Sequence, residues 1–301
     1  MKNLIIDANS LMHRVHWVSR TRPLTTSYGR DVGDVSIFLR TLKSYIKTYS
    51  PDKVYCCWDK KLVYPSENFR DELTFNEYKG TRDRELSKDV FNNTEDLIHM
   101  LEALGIKNMF PRTLEADDVI AWLTHNLQGE NIVVSADNDM LQLVSENTKV
   151  YNTNKKQLYN IDNFEELLGV PISGFVLYKA IMGDNSDNLK GLAGYGKVKS
   201  KRVAKSFSTN KEALDIFTNE QKQHLMKNIK LMNLSVGYKI AGSEETNSYL
   251  EQLSHISNSD FDIFKKYCHD FEFNDILNNI DEWSGLFSQS KLLTLLESLA
   301  D

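Results

Sequence analysis

Two periods of apolar and polar positions alternate along the first half of the chain. Residues 3–7 (NLIID) form a short apolar run ended by an acid, which reads as a buried strand. Residues 35–46 (VSIFLRTLKSYI) place apolar side chains at 35, 38, 39, 42, 45 and 46, a helical period. KVYCCW (53–58) reads as a second strand and stops at Asp59. A helix is predicted over SKDVFNNTEDLIHMLEALG, capped at Ser87, striped at 97, 98, 101 and 104, and stopped by Gly105. IKNMF (106–110) is strand-like, EADDVIAWLTHNL (115–127) helical, and NIVVS (131–135) an apolar, β-branched strand. Such alternation through about residue 150 predicts a mostly parallel sheet covered by helices. A charged, aromatic-bearing insert at 60–86 interrupts it, and only helices are expected beyond about 160.

The acids fall in a matching pattern. Asp7, Asp59 and the pair Asp137/Asp139 each lie just past a predicted strand, where open parallel sheets form their ligand crevice. Glu115, Asp117 and Asp118 open a helix, and Asp184 and Asp187 stand three apart, a spacing that puts side chains on one helical face. Singly, each acid is explained as a cap, a solvated turn or a first-turn residue favoured by the helix dipole. Together, like charges converging on one site require a counter-ion. All-carboxylate donors with no cysteine cluster favour Mg²⁺, with Mn²⁺ as a substitute, over Zn²⁺. Two such ions about 3.5–4 Å apart can activate water and stabilise the leaving oxygen of a phosphodiester.

Charge distribution points to the same chemistry. The net charge is −6, yet residues 207–301 carry 8 Lys against 15 acids, leaving 28 cations against 27 acids in residues 1–206. With the nine candidate ligands set aside, that front portion is strongly basic, as a polyanion-binding surface should be. The basic block sits in GLAGYGKVKSKRVAK (191–205), with Gly191, Gly194 and Gly196 followed by Lys197, Lys199, Lys201, Arg202 and Lys205. A P-loop is excluded because Val198 stands where Ser or Thr must hold Mg²⁺. An EF-hand is excluded because Leu189 replaces the required glycine. What remains is a glycine turn between two helices, suited to gripping a phosphate backbone with little reading of base edges.

No apolar run reaches the roughly 18 residues of a membrane span, and the apolar stretch in MKNLIIDANSLMHR is too short for a signal peptide. Three cysteines, two of them adjacent, suit a reducing cytoplasm and support no disulfide framework.

With these residues assembled, the chain resembles the 5′-nuclease superfamily, above all the free-standing flap endonucleases and 5′-exonucleases of bacteriophages, including the ribonuclease H type. The most specific segments are EADD (115–118), SADND (135–139) and KAIMGDNSDNLKGLAGYG (179–196), and the resemblance runs from about 3 to 206. It implies a PIN-like α/β nuclease core over 1–160, a helix–three-turn–helix DNA-binding region over 161–206 and a helical C-terminal region over 207–301. The 60–86 insert would be the helical arch, with Tyr78, Lys79 and Arg82 in EYKGTRDRE near the scissile phosphate. Asp7, Asp59, Glu115 and Asp117, with Asp118 adjacent, would serve one metal, and Asp137, Asp139, Asp184 and Asp187 a second. Arg14 and Lys179 would contact DNA, and the glycine turn would also bind K⁺ through backbone carbonyls.

The implied activity is Mg²⁺-dependent, structure-selective cleavage near 5′ ends of flaps, nicks and RNA primers in replication. It would act on branched or nicked DNA and RNA–DNA hybrids, as a cytoplasmic monomer, with a single-strand-binding protein or a sliding clamp as candidate protein partners. Two departures stand out: Val198 replaces the family's lysine between Lys197 and Lys199, and 301 residues leave no room for the DNA polymerase expected on bacterial members. The competing readings are a PIN-type ribonuclease, disfavoured by the glycine turn and insert, and a catalytically silent junction binder, disfavoured because all nine acidic positions are kept. A Rossmann-type nucleotide binder is set aside because IIDANSLMHR lacks any glycine.

Overall fold

The computed structural model describes residues 1–59, 89–209, 211–255 and 259–287. The strand β1 (Lys2–Asp7) runs directly into helix α1 (Ala8–Thr21), because Asp7 both ends the strand and caps the helix, accepting from the Ser10 amide at 3.0 Å. Helix α2 (Gly33–Tyr49) leads to β2 (Lys53–Cys57). The next helix, α3 (Thr94–Ala103), opens at Asn93 after a short 3₁₀ turn over 89–91, later than the Ser87 start that the pattern suggested; Ser87 itself lies outside the described residues. Then come β3 (Lys107–Met109), α4 (Ala116–Asn126), β4 (Glu130–Ser135), a 3₁₀ turn from Asp139 to Leu143, β5 (Thr148–Asn152) and β6 (Gln157–Tyr159).

The six strands form one sheet in the order β3-β2-β1-β4-β5-β6, parallel except for the β5–β6 pair. The register sets Asp7 beside Cys57, Ile6 beside Val134 and Ser135 beside Asn152. The carboxyl ends of the central strands are therefore level. Strand order reverses between β1 and β4, so the crevice of an open α/β sheet opens above them.

Both faces of the sheet are covered, and alternate strand residues serve opposite cores. Leu4, Ile6, Cys56, Ile132 and Val134 pack against α1, α2 and α3, while Ile5, Tyr55, Cys57 and Val133 pack against α4 and its neighbours. Among the described residues beyond 160 the regular structure is helical apart from one small hairpin, which the sequence pattern did not suggest. Helices α5 (Phe164–Leu168) and α6 (Ile172–Met182) are followed by β7 (Gly183–Asp184) and β8 (Leu189–Lys190), paired antiparallel, and then by α7 (Lys197–Thr209).

A 3₁₀ turn (Lys211–Ile216) and helices α8 (Asn219–Met232), α9 (Leu234–Ala241), α10 (Ser243–Ser254), α11 (Phe261–Asp270) and α12 (Asn274–Asn278) follow, and residues 280–287 are again helical. They close both faces. Tyr238 and Tyr249 join the core on the α4 side, whereas Phe264, Cys268, Phe271, Phe273 and Ile276 join the opposite one. The stretch DIFKKYCHDFEFNDIL is thus packing material. Among the described residues no helix is long and apolar enough to cross a membrane.

Candidate active site

The crevice is built from strand ends and one helix start. Asp7 leaves β1 with one carboxylate oxygen on Ser10 N and the other accepting from Ser135 Oγ at 2.5 Å. The same Ser135 hydroxyl accepts from the Asp137 amide at 3.0 Å, and Asp137 Oδ1 accepts from the Asp139 amide at 2.8 Å. Asp59, past β2, accepts from the Ala116 amide at 2.8 Å and exchanges two hydrogen bonds with the side chain of Asn9. That contact places Asp59 at the N-terminus of α4, next to Glu115. Asp117 lies in the first turn of α4, half-buried, and acts on Cys57 electrostatically together with Asp7.

Asp118 is used differently. Its side chain is fully buried and accepts from the Glu115 amide at 3.3 Å, closing a capping box with Glu115. The hairpin β7–β8 brings in Asp184 and Asp187, the latter buried. Lys179, one turn before the end of α6, stands between the two halves: its Nζ is 2.7 Å from Asp139 Oδ1 and 2.6 Å from Asp184 Oδ2.

The electrostatics record the crowding. Burial pushes the Asp7 carboxyl up to about 7, and Asp59 and Asp137 add repulsion against the pull of its serine hydrogen bonds. Burial, then Asp137, pushes Asp139 up to about 6 despite Lys179. Asp184, against its own burial, is held below the usual carboxylate range by Lys179 and Ser186. Lys179 is held well above its ordinary value, because the two carboxylates outweigh the cost of burying it. Asp59, Asp7, Asp137, Asp139 and Asp184 are thus linked in one chain of interacting charges.

A hard dication fits this donor set. The donors are carboxylate oxygens, and Asp139 Oδ1 is sheltered from solvent, 2.7 Å from the Lys179 ammonium and within the fields of Asp137 and Asp184. Among the described residues no three acidic, imidazole or thiol groups already close round one point. Mg²⁺ does not need such a cage, since it keeps several waters and takes one or two carboxylates.

The basic block divides on inspection. Lys201 donates to the carbonyl of Leu168, sealing the end of α5, and Lys205 pairs with Glu165 at 3.0 Å. Lys199 lies 3.7 Å over the Tyr195 ring. Lys197 and Arg202 are exposed, and Val198 is 84% exposed. Gly191 is a packing glycine, because a Cβ there would come within 2.3 Å of the Met182 carbonyl oxygen. Gly194 and Gly196 face open space, with nothing within 4 Å of an added Cβ. Arg14 donates to the Thr153 carbonyl at 3.3 Å, tying α1 to the segment after β5. Tyr78, Lys79, Arg82 and the arch-like insert lie outside the described residues.

A sequence-family profile for the 5′-3′ exonuclease N-terminal, resolvase-like domain matches residues 2–169, more than half of the chain. The chain belongs to the 5′-3′ exonuclease family. It is a nuclease, a phosphodiester hydrolase. Among its relatives is a 5′-3′ exonuclease of Mycoplasmopsis pulmonis, 29% identical over 79% of this chain and 83% of that protein. Another, from Aquifex aeolicus, is 28% identical over 97% of this chain and 100% of that protein. These bacterial relatives are covered over most or all of their length, so the expectation of an attached polymerase holds for some bacterial members and not for these. A DNA polymerase I of Pseudomonas aeruginosa matches over 21% of its own length at 32% identity.

Among solved structures, a T5 5′-exonuclease with bound divalent metal ions (zinc) superimposes with a TM-score of 0.68 at 22% identity, covering 86% of this chain and 100% of that one. A bacteriophage T5 flap endonuclease complex with DNA and metal ions gives 0.63 at 21% identity, covering 90% of this chain and 98% of that one. At these identities the likeness establishes the fold. Sequence reasoning overlooked Ser135 and Asn9, the two residues that fix Asp7, Asp137 and Asp59. A serine closing the strand before D-x-D and an asparagine two after the strand-end acid were the available signals.

Proposed function

We propose that the protein is a Mg²⁺-dependent, structure-selective 5′ nuclease that cuts near the 5′ ends of flaps, nicks and RNA primers, on DNA and on RNA–DNA hybrids. The observation carrying this reading is the linked chain of carboxylates above the carboxyl ends of β1, β2 and β4, with the glycine turn and α7 following the Asp184-bearing hairpin along the chain. Asp7, Asp59, Glu115 and Asp117 would surround one divalent ion, and Asp137, Asp139, Asp184 and Asp187 a second, one or two carboxylates of each set binding directly and the others through the ion's waters, with Asp118 fixing the α4 N-terminus beneath. Such ions supply an acidified water and neutralise charge on the phosphodiester in an in-line displacement.

The chain's own residues do the rest. Ser135 and Asn9 hold Asp7 and Asp59 in place, so no reorganisation is needed as the reaction proceeds. Gly194, Gly196, Lys197 and Arg202 present an open, cationic turn to a duplex backbone, with K⁺ as a candidate at the turn's carbonyls. Tyr78, Lys79 and Arg82 would orient the scissile phosphate. In this reading residues 1–160 form the nuclease core, 161–206 the backbone grip, and 207–301 the buttress. The T5 relatives solved with divalent metal ions and with DNA support it.

The test uses a 5′-flap DNA labelled at its 3′ end, with Mg²⁺, with EDTA, and with Asp137→Asn. Cutting at the flap junction that both controls abolish is expected. Binding without cutting in Mg²⁺ and in Mn²⁺ would instead identify a silent junction binder. Cutting of single-stranded RNA alone would favour a PIN-type ribonuclease.

A further inference from the structure

We propose that Lys179 is a displaceable internal counter-ion, which competes with a divalent cation for Asp139 and Asp184 and yields to it when a phosphodiester is present to receive the ammonium. This rests on reading the carboxylate crevice as a metal site.

Three observations support it. The Lys179 ammonium reaches carboxylates from two different elements at nearly equal distance, 2.7 Å to Asp139 and 2.6 Å to Asp184, with all three side chains less than a fifth exposed. Removing the ammonium from such a sheltered bridge leaves the carboxylates uncompensated, so another cation must take its place. Second, the two carboxylates that Lys179 bridges are themselves crowded by acid, since Asp137 and Asp184 both act on Asp139 electrostatically. A single ammonium shared among these acids leaves negative charge that a dication neutralises more fully. Third, Lys179 sits in the last turn of α6, before the sharp turn at Gly183 (φ +74°) that carries Asp184 back toward it. Its flexible four-carbon stem can swing without moving the helix.

The family resemblance implied that Lys179 contacts DNA, whereas the structure pairs it with Asp139 and Asp184. A dication at Asp139 and Asp184 would face the ammonium at close range, so metal binding there is opposed until the ammonium leaves. A DNA phosphate near the crevice accepts it. Metal and DNA then favour each other reciprocally, because each relieves a conflict that the other creates. The device would keep this half of the site weakly loaded without substrate.

The experiment titrates the DNA-free, full-length protein with Mn²⁺ and follows the free-ion electron paramagnetic resonance signal, which needs no catalysis. Wild type is expected to bind one ion more weakly than the other. In Lys179→Met that weaker ion should bind about tenfold tighter, the scale on which one close opposite charge shifts an ionic equilibrium. Lys179→Gln serves as a second neutral variant should the methionine disturb folding. Adding flap DNA with a non-hydrolysable phosphate linkage should tighten the weaker ion in wild type and change it little in either variant.

A structural or purely DNA-contacting lysine would leave Mn²⁺ affinity unchanged or lower it on substitution. Either result overturns the proposal while the metal reading stands. Failure of wild type and both variants to bind Mn²⁺ would overturn both readings.

Discussion

Ser135 Oγ donates to Asp7 Oδ2 at 2.5 Å and so joins the ends of two neighbouring parallel strands, β4 and β1. Because the same hydroxyl accepts from the Asp137 amide, one small side chain sets the relative position of the first strand-end acid and the D-x-D loop. Ser135→Ala removes a donor that favours ionised Asp7. The Asp7 carboxyl, already raised to about 7, moves further up. Since the ionised form is the one that binds a metal, the acidic limb of the pH–rate profile should shift to higher pH. Stability should fall by about 1 kcal/mol for the lost buried hydrogen bond. Initial rates against pH at limiting Mg²⁺ check the first expectation, and thermal unfolding the second. An unshifted limb would remove Asp7 from the titration that matters.

Asp7 also predicts an inverse relation between stability and function. Its folded value of about 7 lies above the ordinary 3.8, so the folded protein binds the proton more tightly than the unfolded chain does. Stability without metal therefore declines as pH rises from about 4 to about 7, and the full penalty persists above that. Asp7→Asn keeps a capping oxygen for Ser10 and deletes the buried charge. At pH 8 without divalent ions the variant should unfold later than wild type, by about 1–3 kcal/mol. Near pH 4 the two should coincide. Mg²⁺ should stabilise wild type and not the variant. Thermal melts across this pH range, with and without Mg²⁺, decide the matter.

What the pattern revealed in advance and what it hid follow from distance along the chain. Asp7, Asp59 and Asp137 were readable because each terminates an apolar strand, a local event. The strand β5 (TKVYN) was missed because its polar, alternating residues become a strand only beside β4. The hairpin at 183–190 was missed because two-residue strands leave no periodicity. Lys201 looked like every other cation in its block. Its destination, a helix-end carbonyl 33 residues earlier, leaves no mark in the local sequence.

That distinction between cations is testable. Lys201→Met should lower stability by about 1 kcal/mol through the lost carbonyl contact and leave the salt dependence of DNA binding unchanged. Arg202→Ala, at an exposed position, should leave stability alone and reduce the slope of log affinity against log salt by about one. Fluorescence anisotropy with a flap duplex at several salt concentrations separates the two. Equal slopes in both variants would return Lys201 to the DNA-contacting set.

The glycines divide in the same way. Gly191→Ala drives a methyl group to within 2.3 Å of the Met182 carbonyl oxygen and 2.5 Å of that of Ile181, contacts that backbone cannot yield cheaply. A loss of about 1–3 kcal/mol or more is expected, with DNA binding lost as a consequence. Gly196→Ala meets nothing in the protein, so its stability should stay at the wild-type level. If a phosphate approaches this turn, the added methyl obstructs it and affinity falls. A stable Gly196→Ala variant with undiminished affinity would place the backbone contact elsewhere.

Glu245 links the C-terminal helices to the site. Buried in α10, it accepts from the amides of Arg112 at 2.7 Å and Thr113 at 2.9 Å, from the Thr113 hydroxyl at 2.8 Å and from Tyr249 at 2.7 Å. Those amides lie two and three residues before Glu115, so the carboxylate fixes the segment from which α4 and its acids begin. Glu245→Gln keeps one acceptor oxygen and turns an amide donor toward the Thr113 N–H. Leaving such donors buried and unmet should cost about 2–3 kcal/mol. The displaced segment should also weaken Mg²⁺ binding several-fold in the protein that remains folded. Isothermal titration below the unfolding transition tests this. Reduced stability with unaltered Mg²⁺ affinity would make Glu245 a brace for the fold alone, and would free the α4 acids from any dependence on the C-terminal helices.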